Sequence, residues 1–154
     1  MKKYAIKKSD GTVAIMYTAK DNVDPELEVS KWTEKNKNLV QDCREITTKF
    51  PSNLKYVDAW DWDINDPNST ITVDLTKAKS IQIDFIKEIA ASKLKILREQ
   101  LIDAIADDDT ALQDSVKAKI SEVKAAHKTC ENLDTNNCTL DDIENAVPSL
   151  LNEI

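Results

Sequence analysis

The chain has 154 residues, 28 acidic and 21 basic, for a net charge of −7, enough for one compact domain or two small lobes. It lacks the basic face that nucleic acid requires and the run of ~18 apolar residues that a membrane span requires, so neither is an expected partner. Gly11 is the only glycine, which excludes phosphate-cradling loops and dinucleotide fingerprints built from several glycines at fixed spacing.

Met1-Lys2-Lys3 leads into mixed polar sequence with no apolar stretch of signal-peptide length, so a protein that stays where it is made is expected. Tyr4-Ala5-Ile6 and Val13 to Tyr17 flank Ser9-Asp10-Gly11, and Asp-Gly predicts a two-residue hairpin turn. Asp24-Pro25-Glu26 has the form of a helix start: an Asp cap, a proline in the first turn and an acid for the dipole. That helix is expected to reach about Asn36 and to present Leu27, Val29 and Trp32. Cys43 to Thr48 reads as a short strand ended by Phe50-Pro51.

Residues 58 to 67, DAWDWDINDP, hold four aspartates and two tryptophans. Alternation from Tyr56 onward places Trp60, Trp62 and Ile64 on one face of a strand, toward the long helix that follows. Asn65 to Ser69 is a turn cluster, and Ile71, Val73 and Leu75 alternate again, which predicts a second hairpin. A calcium loop starting at Asp61 is the competing reading. Asp61, Asp63 and Asn65 fit its first three ligand positions, but Asp66 stands where glycine is required and Thr72 where a bidentate Glu is required. Strand and turn are therefore expected.

From Thr76 to about Ala106 there is neither proline nor glycine. Ile83, Ile86, Ala90, Leu94, Leu97, Leu101 and Ala104 recur at three- and four-residue steps, the mark of one helix face. Phe85, Ile89, Ile96 and Ile105 widen that face. Asp107-Asp108-Asp109 interrupts the pattern, and Leu112, Val116, Ile120, Val123, Ala126, Cys130 and Leu133 form a second stripe. Two long amphipathic helices joined so briefly predict an antiparallel helical hairpin. Thr139-Leu140-Asp141-Asp142 opens a short final helix that stops near Pro148. The expected fold is α+β: a mixed lobe over 1–75 with a hairpin sheet and a helix, then the helical hairpin and short helix over 76–154.

His127, Cys130, Cys138 and Cys43 are enough soft ligands for zinc, but no Cys-x-x-Cys spacing is present. Cys130 also continues an apolar stripe, where a cysteine behaves as a small hydrophobe. A cysteine nucleophile with His127 as base would need orienting groups that the sequence does not indicate. No catalytic residue, metal or cofactor is expected.

The landmarks Tyr56-Val57-Asp58-Ala59-Trp60-Asp61-Trp62, Val73-Asp74-Leu75-Thr76-Lys77-Ala78-Lys79-Ser80-Ile81-Gln82-Ile83-Asp84 and Ala91-Ser92-Lys93-Leu94 resemble a family of small phage and prophage proteins found among tail and tail-fibre genes. Thr139 to Pro148 resembles that family's C-terminal segment. Thr76 and Gln82 stand where the family pattern has proline and histidine, and lysines replace several arginines. The resemblance spans roughly residues 50 to 148, and its motifs are structural. It implies a non-enzymatic tail, baseplate or fibre-associated virion component, in the host cytoplasm during assembly, whose partners are other tail or fibre proteins. A tail-fibre assembly chaperone is the alternative. Phe85, Ile89 and Ile96 are the expected interaction face, packing between copies in a homo-oligomer or, equally, covering the N-terminal sheet.

Overall fold

The computed structural model describes residues 2–18, 24–46, 51, 53–66 and 68–151. The fold is α+β, and the chain divides into two compact units, Met1–Asp74 and Leu75–Ile154.

The first unit is built on a three-stranded antiparallel sheet in the order β2-β1-β3, with β1 Lys3–Lys8, β2 Val13–Tyr17 and β3 Val40–Glu45. The β1–β2 turn is a three-residue loop, not the two-residue turn expected. Lys8 N donates to Thr12 O at 2.8 Å and Gly11 N to Lys8 O at 3.0 Å. Gly11 takes the left-handed conformation, φ 84°, that closes a type I turn with a bulge. Asp10 supports the loop by accepting from Thr12 N at 2.9 Å and Thr12 Oγ1 at 2.7 Å. Helix α1 spans Pro25–Lys35, and the Asp24 carboxylate accepts from the Glu26 and Leu27 amides as the cap expects. β3 begins three residues earlier than predicted, because Leu39 N bonds Asn36 O at 2.8 Å and turns the chain back at once. The predicted strand end at Thr48 and Phe50 lies outside the described residues.

The strand predicted from Tyr56 is mostly a 3-10 segment, Leu54–Ala59, started by Asn53 accepting from Lys55 N at 3.0 Å. Only β4, Trp60–Asp61, pairs with β5, Thr72–Val73. Leu75 belongs to the long helix instead of the hairpin. The ladder is short because aspartates claim its amides: Asp61 accepts from Trp62 N, Asp63 from Asn65 N and Asp66 from Asn68 N. The expected apolar face nevertheless forms. Trp60 and Trp62 are buried, Ile64 is half-buried, and all three join Ala5, Val13 and Ile71 in the core of this unit.

In the second unit α2 spans Leu75–Ala106, about 48 Å at 1.5 Å per residue. It packs on α3 Thr110–Ala125, α4 Lys128–Glu131, α5 Leu140–Glu144 and a final 3-10 turn, Ser149–Leu151. Ala78, Gln82, Ile86, Ala90, Leu97 and Ala104 are its buried residues. Leu94 and Leu101 fall between these and are half-buried, as are Ile83 and, on α3, Ile120. Val116 and Val123 complete the seam from α3. Leu112 was expected in this core and is 46% exposed. The seam enters α3 at Gln113 instead, whose Nε2 reaches Ala104 O at 3.3 Å, so Leu112, about 100° around the helix, faces outward.

The second stripe was expected to run unbroken to Leu133, but α3 ends at Ala125. Its last turn tightens through Ala126 N to Val123 O, and α4 then starts after His127. This break brings Cys130 inward, where Sγ lies 3.9 Å from Lys79 O while Lys79 Nζ donates to Leu133 O at 2.7 Å.

Helix α2 stops through paired backbone bonds, Asp108 N to Ile105 O at 3.2 Å and Asp109 N to Ala104 O at 3.0 Å. Asp108 sits at φ 54°, where glycine is usual, and Asp109 then caps α3 by accepting from Leu112 N at 2.9 Å. Asp108→Gly is expected to raise stability by about 0.5–1 kcal/mol by removing the left-handed penalty, read as a higher urea midpoint.

The capping box of α5 is complete: Thr139 accepts from Asp142 N, and Asp142 accepts from Thr139 N at 2.7 Å. The Thr139 hydroxyl holds the Asp142 carboxyl below its ordinary range, Thr12 does the same for Asp10, and the Asn136 amide does so for Asp134. A carboxyl depressed in the folded state stabilises above its unfolded pKa, and that contribution is lost as pH falls through the folded value. Urea midpoints are therefore expected to fall below about pH 4, with a shallower fall in Asp142→Asn.

Candidate functional site

The acidic stretch around Trp60 uses its carboxylates internally. Lys7 Nζ donates to Asp61 Oδ1 at 3.0 Å, and Asp61, Asp63 and Asp66 each hold a nearby backbone amide. Arg44 organises the loop from β3. Its guanidinium lies 5.1 Å from the centre of the Trp62 ring and pairs with Asp42 at 2.8 Å. It also donates to Asp66 O at 3.2 Å and to Ile64 O. Arg44 was not singled out from the sequence; the signal was an arginine in a strand preceding a tryptophan-rich segment.

The soft-ligand candidates do not come together as a set. Cys130 is buried against Lys79 O, and Cys138 is half-buried in the loop before α5. His127 Nε2 lies 3.7 Å from Glu131 Oε1. Cys43 is half-buried on β3 in the first unit. No group of three His, Cys, Asp or Glu side chains among the described residues is arranged to hold a metal ion.

An open cleft of about 550 Å³ runs between α1 and β3, lined by Tyr4, Thr33, Cys43 and the acids Glu26, Glu34 and Asp42. Lys2 bridges Glu26 and Glu45 at 3.3 and 3.0 Å, and Arg44 engages Asp42. Burial pushes the Cys43 thiol up, away from the thiolate a nucleophile needs. Burial likewise raises the Tyr4 phenol. The cleft thus has polar walls, with its thiol and phenol held toward their neutral forms.

Apolar surface is more informative. On α2, Phe85 is 39% and Ile96 42% exposed, with half-buried Ile89 between them within about 40° of arc. At the hairpin end Ile102, Ile105 and Leu112 are also exposed. Between α2 and α3 lies a groove of about 260 Å³ with a floor of Ile96, Leu97, Val123 and Leu150 and a rim of Lys93, Gln100, Lys119 and Glu122. In the first unit Trp32 and Leu39 border a shallow apolar hollow with Val40. Of the three residues α1 was expected to present, Val29 is buried, whereas Trp32 is 37% and Leu27 50% exposed.

No family model, curated protein or solved structure matches this chain.

The expected interaction face, Phe85, Ile89 and Ile96, is a row on one side of α2, flanking the buried stripe. No helix among the described residues is long and apolar enough to cross a membrane.

Proposed function

We propose that the chain is a non-enzymatic structural protein of a phage tail, a baseplate or fibre-associated component acting through protein–protein contacts. The observation that carries this reading is the row Phe85, Ile89 and Ile96 on α2, which leaves two large apolar side chains more than a third exposed. Apolar residues clustered in this way are suited to burial against a partner. The resemblance of residues 50 to 148 to small tail-module proteins supplies the setting, and the partners are other tail or fibre proteins.

Mass spectrometry of purified particles tests the reading, and the protein is expected in them at a fixed ratio to a tail protein. A Phe85→Asp, Ile96→Asp variant with an unchanged circular dichroism spectrum is expected to drop out of particles. Absence of the wild-type protein from particles would overturn the virion role. If it instead raised the yield of soluble fibre, an assembly chaperone would take its place.

A further inference from the structure

Charge is segregated along the helical unit. Lys87, Lys93, Lys95 and Arg98 precede the tip on α2, whereas no basic residue occurs from Glu99 to Val116. That stretch holds Glu99, Asp103, Asp107, Asp108, Asp109 and Asp114. Because α3 runs back along α2, its Lys117, Lys119 and Lys124 return to the basic part. The hairpin therefore has an acidic end and a basic waist. Each zone also carries apolar surface: Ile102, Ile105 and Leu112 are 65%, 53% and 46% exposed at the end, and the Ile96–Val123 groove lies at the waist.

We propose that the helical unit pairs with the same unit of a second copy, the acidic tip of each hairpin seated on the basic, apolar groove of the other. An apolar end ringed by carboxylates fits a groove whose rim carries Lys93 and Lys119, with Glu122 as the single acid there. A parallel pair would set one acidic end against another, so the antiparallel arrangement is the one that charge selects. The spacing allows both contacts at once. Leu112 and the groove's Lys119 are seven residues apart on α3, about 10 Å along the helix and within about 20° of arc, so a two-fold axis midway between them would lay each Leu112 over the partner's groove. Such a contact uses the same patch on both copies and closes on itself, giving a dimer and no filament. This inference stands apart from the tail role and holds or fails without it.

Sedimentation equilibrium of the full chain tests it. The expected mass at low salt and high protein concentration is twice the 17.3 kDa of one chain, falling toward one chain in high salt as exposed charges are screened. Leu112→Lys, an exposed position, is expected to be monomeric with an unchanged circular dichroism spectrum. Two charge reversals then decide the geometry: Asp107→Lys with Asp109→Lys at the tip, and Lys93→Glu with Lys119→Glu at the waist. Each variant alone is expected to be monomeric, and an equal mixture is expected to form a heterodimer. A wild-type chain that stays monomeric at its solubility limit, or a mixture that fails to pair when both variants are folded, would overturn the proposal.

Discussion

Trp62→Ser is expected to destabilise the protein by about 3–5 kcal/mol, seen as a lower urea midpoint with little change in slope. The ring is 5% exposed and packs in the cluster with Ala5, Val13, Trp60 and Ile71. Its loss removes a large aromatic volume from a core that cannot close over the gap. It also strips the stacking surface from Arg44, which ties β3 to the carbonyls of Ile64 and Asp66. Asp63→Asn is the contrasting change, because an amide oxygen can still accept from Asn65 N; its midpoint is expected to stay within about 0.5 kcal/mol of wild type. A Trp62→Ser midpoint equally close to wild type would show that this ring does not support the sheet.

Gln82→Ala is expected to cost about 2–4 kcal/mol, the second large effect. Gln82 is 0% exposed in α2, and its Nε2 donates to Glu144 O at 3.1 Å at the end of α5. Truncation opens a cavity and removes a donor from a backbone carbonyl. Gln82→Met keeps most of the volume and removes only the hydrogen bond, so its expected cost is smaller, about 1–3 kcal/mol. Equal midpoints for wild type and Gln82→Met would assign the whole effect to volume.

These two residues also mark what the sequence made legible. Trp60 and Trp62 were readable because alternation in a half-buried strand is a period-2 signal that survives even when the ladder is two residues long. The rest of that strand was not readable, since asparagine and aspartate side chains drew amides into turns by local bonds that periodicity does not register. Gln82 was invisible to an apolar template because its burial depends on a carbonyl 62 residues away. Along α2, the stripe read from the sequence held Ala90 and Ala104 but missed Ala78, which is 0% exposed; small side chains permit the close approach that buries it. Leu112 was misplaced because the neighbouring polar Gln113 takes the inward position at the start of α3 through its bond to Ala104 O. Of the exposed apolar surface, the row at Phe85, Ile89 and Ile96 was legible as a widening of the stripe, and Trp32 with Leu39 was not.

Along the α2 seam the buried residues alternate in bulk, Ala90, Leu97, Ala104, at seven-residue intervals. A slip of α3 along α2 would change which of these unequal side chains each α3 residue meets. The two helices therefore mesh like a keyed shaft. A hairpin with such a key is expected to resist sliding of one helix along the other.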